Sequence, residues 1–381
     1  MPPVIEQRGL VFDVTSGEPH ERVACFTSLC KLRSGAILCG FQLGSKKNSA
    51  RSTIGLCHSD DEGLTWRRIP VAWKVHFGGV PGSLSSGEMV EAEPGRLLMF
   101  ATWFDRSEPD RPLFDPVTEG ILRSKQLVAE SSDDGVSWSD WREAPTPGLT
   151  GCAGTGPVWQ MADGAIVYPF ESFKEFDDPA PKQHAAWILV SRDGGRTFSQ
   201  PLLTAQDPQH KVYYWDQRLA PRGDANELAA LFWTHDLEAR RDLTVHLRRA
   251  TLDNADLKLQ PILATAVPGQ IAAPLWLDDG RLLAFVVDRN RPCTMKLWTS
   301  RDGGQSWPVS ECLTVYEHEE RAALSQGAEN VDFAQYWEDM GKWSFGHPAI
   351  RALRDRRVLL TYYAGAPDCM SVHFARVRID G

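Results

Sequence analysis

The sequence predicts an all-β fold, a six-bladed β-propeller of four-stranded antiparallel blades. One turn motif recurs four times along its 381 residues, one strand-turn-strand pattern recurs six times, and no stretch sustains the 3.6-residue apolar period of a helix. The turn motif reads Ser-x-Asp-x-Gly-x-(Ser/Thr)-(Trp/Phe). It occurs at Ser59, Asp61, Gly63, Thr65 and Trp66, at Ser131, Asp133, Gly135, Ser137 and Trp138, at Ser191, Asp193, Gly195, Thr197 and Phe198, and at Ser300, Asp302, Gly304, Ser306 and Trp307. Average residue usage gives one match a probability on the order of 10⁻⁶ per position, so four are not coincidence.

The motif describes a tight hairpin. Its Asp accepts hydrogen bonds from backbone N–H groups across the turn, its Gly supplies a positive φ, and its aromatic packs back between sheets. A degenerate copy, Thr251-x-Asp253-x-Ala255, occupies the place of a fifth. The starts are 72, 60, 60 and 49 residues apart, a spacing that suits a four-stranded blade with a variable loop.

Six hairpins accompany these turns: LCKLRSGAILCGF, MVEAEPGRLLMF, VWQMADGAIVYPF, RLAPRGDANELAALFW, PLWLDDGRLLAFVV and AIRALRDRRVLLTYY. The expected organisation is a single domain, 1–381, with blades near 15–75, 76–150, 151–205, 206–262, 263–315 and 316–381. A strand at 8–14 from the other terminus closes the last blade. A short helix is allowed near 317–340.

Composition narrows the partners. The chain carries 41 Lys+Arg against 50 Asp+Glu, a formal charge of −9. That balance argues against nucleic acid or an anionic membrane, both of which need a basic surface. The opening MPPVIEQRGLVF has no basic segment followed by an apolar run, and no stretch approaches the ~20 apolar residues of a membrane span, so a cytoplasmic location is expected. The eight cysteines form no C-x-x-C pair and read as reduced thiols. No nucleotide fingerprint or metal-ligand spacing is present, so neither cofactor nor metal is expected.

The four turns resemble the Asp-boxes (BNR repeats) of the sialidase superfamily, and the resemblance covers essentially the whole chain. It implies a propeller whose boxes are structural. If the box is the turn between third and fourth strands, the ligand mouth lies on the opposite face, at the starts of the inner strands and the loops joining second to third strands. Those segments hold Arg22, Glu88, Arg106, Glu171, Lys174, His184, Tyr213, Tyr214, Asp216, Arg218, His235, Asp288, Arg289, Arg291 and His347. Several arginines on one face of an acidic protein suggest an anionic glycan, because a guanidinium matches a carboxylate bidentately.

The resemblance further implies an arginine triad, a Tyr nucleophile paired with a Glu, and an Asp acid/base. The chain departs from that set. Its first inner strand reads Ala24-Cys25-Phe26-Thr27 where the family has Phe/Tyr-Arg-Ile-Pro. The loop expected to hold the acid/base reads Gly44-Ser45-Lys46-Lys47-Asn48, and the sixth inner strand reads Phe345-Gly346-His347.

Three functions therefore stay open. A sialidase-like, exo-acting glycoside hydrolase releasing an acidic sugar from an oligosaccharide would use Asp216, Glu171, Asp236 or Asp288 as its carboxylates. A lyase acting on a uronic acid would use His235, His347 or Tyr214 to remove a proton. A non-catalytic glycan- or protein-binding propeller would use the same mouth. Arg22, Arg218, Arg289, Arg291, His184, Tyr213 and Trp103 are the candidate substrate contacts, and residues 105–120 a candidate lid over the mouth or arm to a neighbouring subunit.

Overall fold

The computed structural model describes residues 3–379 except 16, 182, 224, 255, 291 and 319–339. The short helix expected near 317–340 thus lies almost wholly outside the described residues, as do Ala255 of the degenerate turn and Arg291.

Among the described residues the strands assemble into five sheets. Three begin with the inner strands Gly82–Glu93, Val212–Pro221 and Ala272–Trp276. A fourth has its inner edge in two short pieces, Cys152–Gly154 and Trp159–Gln160. The fifth is eight-stranded and consists of two halves. One half runs outward from Val23–Lys31. The other runs from Phe345–Ala352 through Arg357–Ala366 and Cys369–Arg378 to the N-terminal strand Val4–Phe12, which pairs antiparallel with Cys369–Arg378. A single parallel bridge, Val23 to Met370, joins the halves. The inner strands contact one another in a ring, from Val23–Lys31 through each sheet in chain order to Phe345–Ala352 and back to Val23–Lys31.

Each second strand is an apolar run buried on both faces, the signature of strands sandwiched between sheets. Phe41, Phe100, Phe170, Phe232 and Phe285 take similar places in successive sheets and are fully buried. Each contributes roughly 2–3 kcal/mol of transfer free energy. Phe41 needs Gly55 beside it, because a Cβ there would stand 2.2 Å from its ring.

The repeated turns close the outer hairpins. In the first, Ser59 Oγ donates to Asp61 Oδ1 at 2.8 Å, the Gly63 amide donates to Ser59 Oγ at 2.8 Å, and the Thr65 hydroxyl donates to Asp61 Oδ2 at 2.6 Å. Trp66 Nε1 returns to the Gly63 carbonyl at 3.1 Å. The Ser, Asp and Ser/Thr bonds recur around Asp133, Asp193 and Asp302, and the indole bond at Trp138 and Trp307 but not at Phe198, with the turn glycines at φ 84° to 93°. Near Asp253 the chain instead makes a tight turn with Asn254 at φ 54°, and Asp253 pairs with Lys258 at 2.7 Å.

Candidate active site

Four inner strands share one irregularity. Register against the second strand slips by one residue between Cys25 and Ser28, Ser85 and Glu88, Trp215 and Arg218, and Gly346 and Ala349. Each slip is a β-bulge that holds a non-glycine residue in the left-handed region: Phe26 at φ 55°, Ser86 at 61°, Asp216 at 45° and His347 at 53°. Such conformations cost about 1–3 kcal/mol each and persist where surrounding structure dictates them. All four residues line one cavity of about 110 Å³. Glu171 enters it from the neighbouring sheet, and the apolar side chains of Phe104, Phe114 and Phe173 form much of its wall.

Beneath the cavity lies Arg218, 1% exposed. Its Nε and Nη2 donate to Asp216 Oδ1 at 3.0 and 2.8 Å, and Nη2 also donates to His347 Nε2 at 2.5 Å. The other imidazole nitrogen, Nδ1, faces the Thr27 carbonyl at 3.1 Å. A carbonyl only accepts, so Nδ1 carries the proton and Nε2 is the acceptor. Burial, and then the Arg218 charge, push His347 well below the ordinary imidazole range, so the ring is neutral. The neighbouring Gly346 makes room for Arg289: a Cβ there would meet that guanidinium at 2.8 Å.

Asp216 and Glu171 form the carboxylate pair. Asp216 is 21% exposed toward the cavity. Burial raises its pKa, against the pull of Arg218, and the nearby Glu171 charge adds to the rise. Glu171 Oε2 accepts hydrogen bonds from His184 Nε2 at 3.0 Å and from the Asp216 amide at 3.1 Å. A third carboxyl, Glu88, lies deeper. Burial pushes it up to about 7 despite the fields of Arg218 and Arg351, and its Oε1 accepts no hydrogen bond.

The other expected site residues lie around this centre rather than in it. His184 holds Glu171 and packs its ring 5.0 Å from that of Tyr213, which is buried. His235 Nδ1 meets Asp242 Oδ1 at 3.0 Å, and its ring stacks on Trp215. Tyr214 turns to the opposite face, against Phe232 and His246. Asp288 accepts the Asn290 amide and side chain at 3.0 and 2.8 Å; burial raises its pKa and these bonds oppose the rise.

Arg289 is buried with its guanidinium 4.0 Å from the Trp343 ring and 5.7 Å from Trp233, its Nε and Nη1 without hydrogen-bond partners. Arg22 is exposed beside Asp368 and Cys369. Trp103 packs near Phe77 and donates to the Val75 carbonyl at 2.9 Å, away from the cavity. Arg291 lies outside the described residues.

Two features went unread in the sequence. Lys47 is buried, and its Nζ donates to the Met340 and Trp343 carbonyls and, at 2.8 Å, to the Tyr363 hydroxyl. Burial pushes this amine down to about 7. The bulge residues Phe26 and Ser86 were legible only by laying the strand starts ACFTS, SSGEM, WDQRL and GHPAI over one another.

Residues 105–120, the candidate lid or arm, run along the cavity, with Leu113 and Phe114 in its lining. Arg106 donates to Ser83 Oγ and the Asn48 carbonyl at 2.9 Å each, the Thr118 hydroxyl donates to the Phe176 carbonyl, and Ile121 bridges to Glu175. Among the described residues no group of three or more His, Cys, Asp or Glu could hold a metal ion, and no helix is long and apolar enough to cross a membrane.

No family model and no curated protein matches the sequence. Solved structures do. A protein of unknown function from Dyadobacter fermentans DSM 18053 superposes with a TM-score of 0.74 at 17% identity, over 100% of both chains. The Hadza microbial sialidase Hz136 gives 0.68 at 16% identity, over 97% of this chain and 68% of its own. The Penicillium chrysogenum α-L-arabinanase, solved with arabinobiose, gives 0.64 at 13% identity, over 98% of both. The chain thus has a sialidase-like β-propeller fold.

Proposed function

We propose that this protein is a glycoside hydrolase that removes one terminal sugar from an oligosaccharide. Its scaffold would be a single six-bladed propeller with Asp-box turns, closed by the strand Val4–Phe12. The ring of inner-strand contacts and the pairing of Val4–Phe12 with Cys369–Arg378 support that blade count.

One observation carries the catalytic reading: Asp216 and Glu171 line the same cavity in contrasting surroundings. Asp216 is the general acid. Arg218 occupies Oδ1, which leaves Oδ2 free to hand a proton to the glycosidic oxygen, and burial raises the pKa of this carboxyl. Glu171 is the partner carboxylate, aimed by His184 and the Asp216 amide, and it supports the oxocarbenium-like sugar or activates the attacking water. Water supplies the hydroxyl and hydrogen that cap the two products.

Elimination has less support. The Nε2 lone pair of His347 is held by Arg218, and His235 stands behind Trp215. The test is incubation with sialylated, uronic-acid-containing and neutral oligosaccharides, read by mass spectrometry. Products whose summed mass exceeds the substrate by one water support hydrolysis. Cleavage without added water, or no cleavage of any substrate, would overturn it.

A further inference from the structure

Two ionisable acids, Glu171 and Asp216, line the cavity among the described residues, and no Lys or Arg does. Among the described residues, the arginines expected to greet an anionic sugar are engaged or set back. Arg218 is bound to Asp216 and His347 beneath the floor. Arg106 is spent on Ser83 and on the Asn48 carbonyl, and Arg289, outside the cavity lining, packs its guanidinium 4.0 Å from the Trp343 ring. The imidazole that lines the cavity, His347, has both nitrogens occupied by hydrogen bonds.

Beside the carboxylates the wall is apolar. The Phe173 ring lies 5.2 Å from His184, the partner of Glu171, and 5.5 Å edge-on from Phe114. Leu113, Ile121 and Phe104 continue that wall. A carboxylate-bearing sugar would meet like charge, and among the described residues the nearest cations, Arg218 and Arg289, act on Asp216 from outside the cavity lining; a hydroxyl turned toward these rings would lose its water without a partner. An apolar substituent would lose nothing there and would gain by burial.

We infer that the cavity selects an uncharged glycosyl unit bearing a methyl group in place of the terminal hydroxymethyl, a 6-deoxy sugar, seated with that methyl against Phe114 and Phe173. This rests on the reading of the cavity as the sugar site, and it names the class of sugar that site takes.

Binding to the full chain can be measured by titration calorimetry with methyl glycosides that differ only at C6, as methyl, hydroxymethyl or carboxylate. The D and L forms of the galacto and manno series cover the ring configurations. The expected result is at least fivefold tighter binding of the 6-deoxy member than of its hydroxymethyl counterpart in the configuration that binds best, and at least tenfold weaker binding of the uronate. Phe173→Ala should cut the methyl preference to under twofold; Phe173→Leu, which keeps an apolar wall, should restore part of it.

A uronate that binds as tightly as the 6-deoxy member, no preference between methyl and hydroxymethyl, or no binding by any member would overturn the inference. Release of 4-nitrophenol from the matching glycosides is scored separately. Binding with the stated preference but without release would sink the hydrolase reading alone, and release of a uronate in preference would sink this inference alone.

Discussion

Glu171 reaches from one sheet to the next and accepts a hydrogen bond from the backbone amide of Asp216 at 3.1 Å, across 45 positions of sequence. The bulge that turns Asp216 to φ 45° thus presents its carboxyl to the cavity and its amide to the second carboxylate.

Asp216→Asn and Glu171→Gln should each lower kcat by roughly 10²- to 10⁴-fold, the usual yield of a positioned proton-transfer group. Neither change alters side-chain volume appreciably, so thermal unfolding should stay within a few degrees of the parent. Initial rates on the best substrate, beside a melting curve, check this; undiminished rates in both variants would remove the pair from catalysis.

Arg218→Met leaves a buried carboxyl and an imidazole without their shared donor, and should cost about 3 kcal/mol of stability. It also removes the charge that restrains Asp216, so the Asp216 pKa rises further. The alkaline limb of kcat/KM, where the acid loses its proton, should then move to higher pH. A purely structural role for Arg218 would leave that limb in place.

Glu88 makes stability depend on pH. Burial raises its folded pKa from 4.5 to about 7, so its contribution is full below 4.5 and is lost as pH rises through about 7. The difference in unfolding free energy between parent and Glu88→Gln should change by about 3 kcal/mol from pH 4 to pH 8, in favour of the variant at the higher pH. Denaturant titrations at the two pH values measure it.

Asp302→Ala tests the repeated turn. Its carboxylate is held down at about 2, first by the Ser306 hydroxyl and amide bonds, and it is exposed. Solvent screens such contacts, so the loss should be only about 1–2 kcal/mol. Activity should be unchanged, in contrast to the cavity variants.

The sequence alone determined the elements that rest on local rules. A Ser-x-Asp-x-Gly turn satisfies its own backbone within a few residues, and an apolar run bounded by a polar turn makes a hairpin wherever it stands. The four turns at Asp61, Asp133, Asp193 and Asp302 were therefore legible, as was the ring end bearing Glu171, Asp216, Arg218 and His347.

The division of labour among those residues was decided by tertiary structure. One extra residue in a strand reverses which side chains face inward, so the bulges, and not the pattern, chose Phe26, Ser86, Asp216 and His347 for the cavity and sent Tyr214 outward. Arg218 reads in sequence like an exposed ligand for an anion. The hydrogen bond to His347, 129 residues away, turns it into a buried support, because burial and charge pairing depend on what the rest of the chain brings alongside.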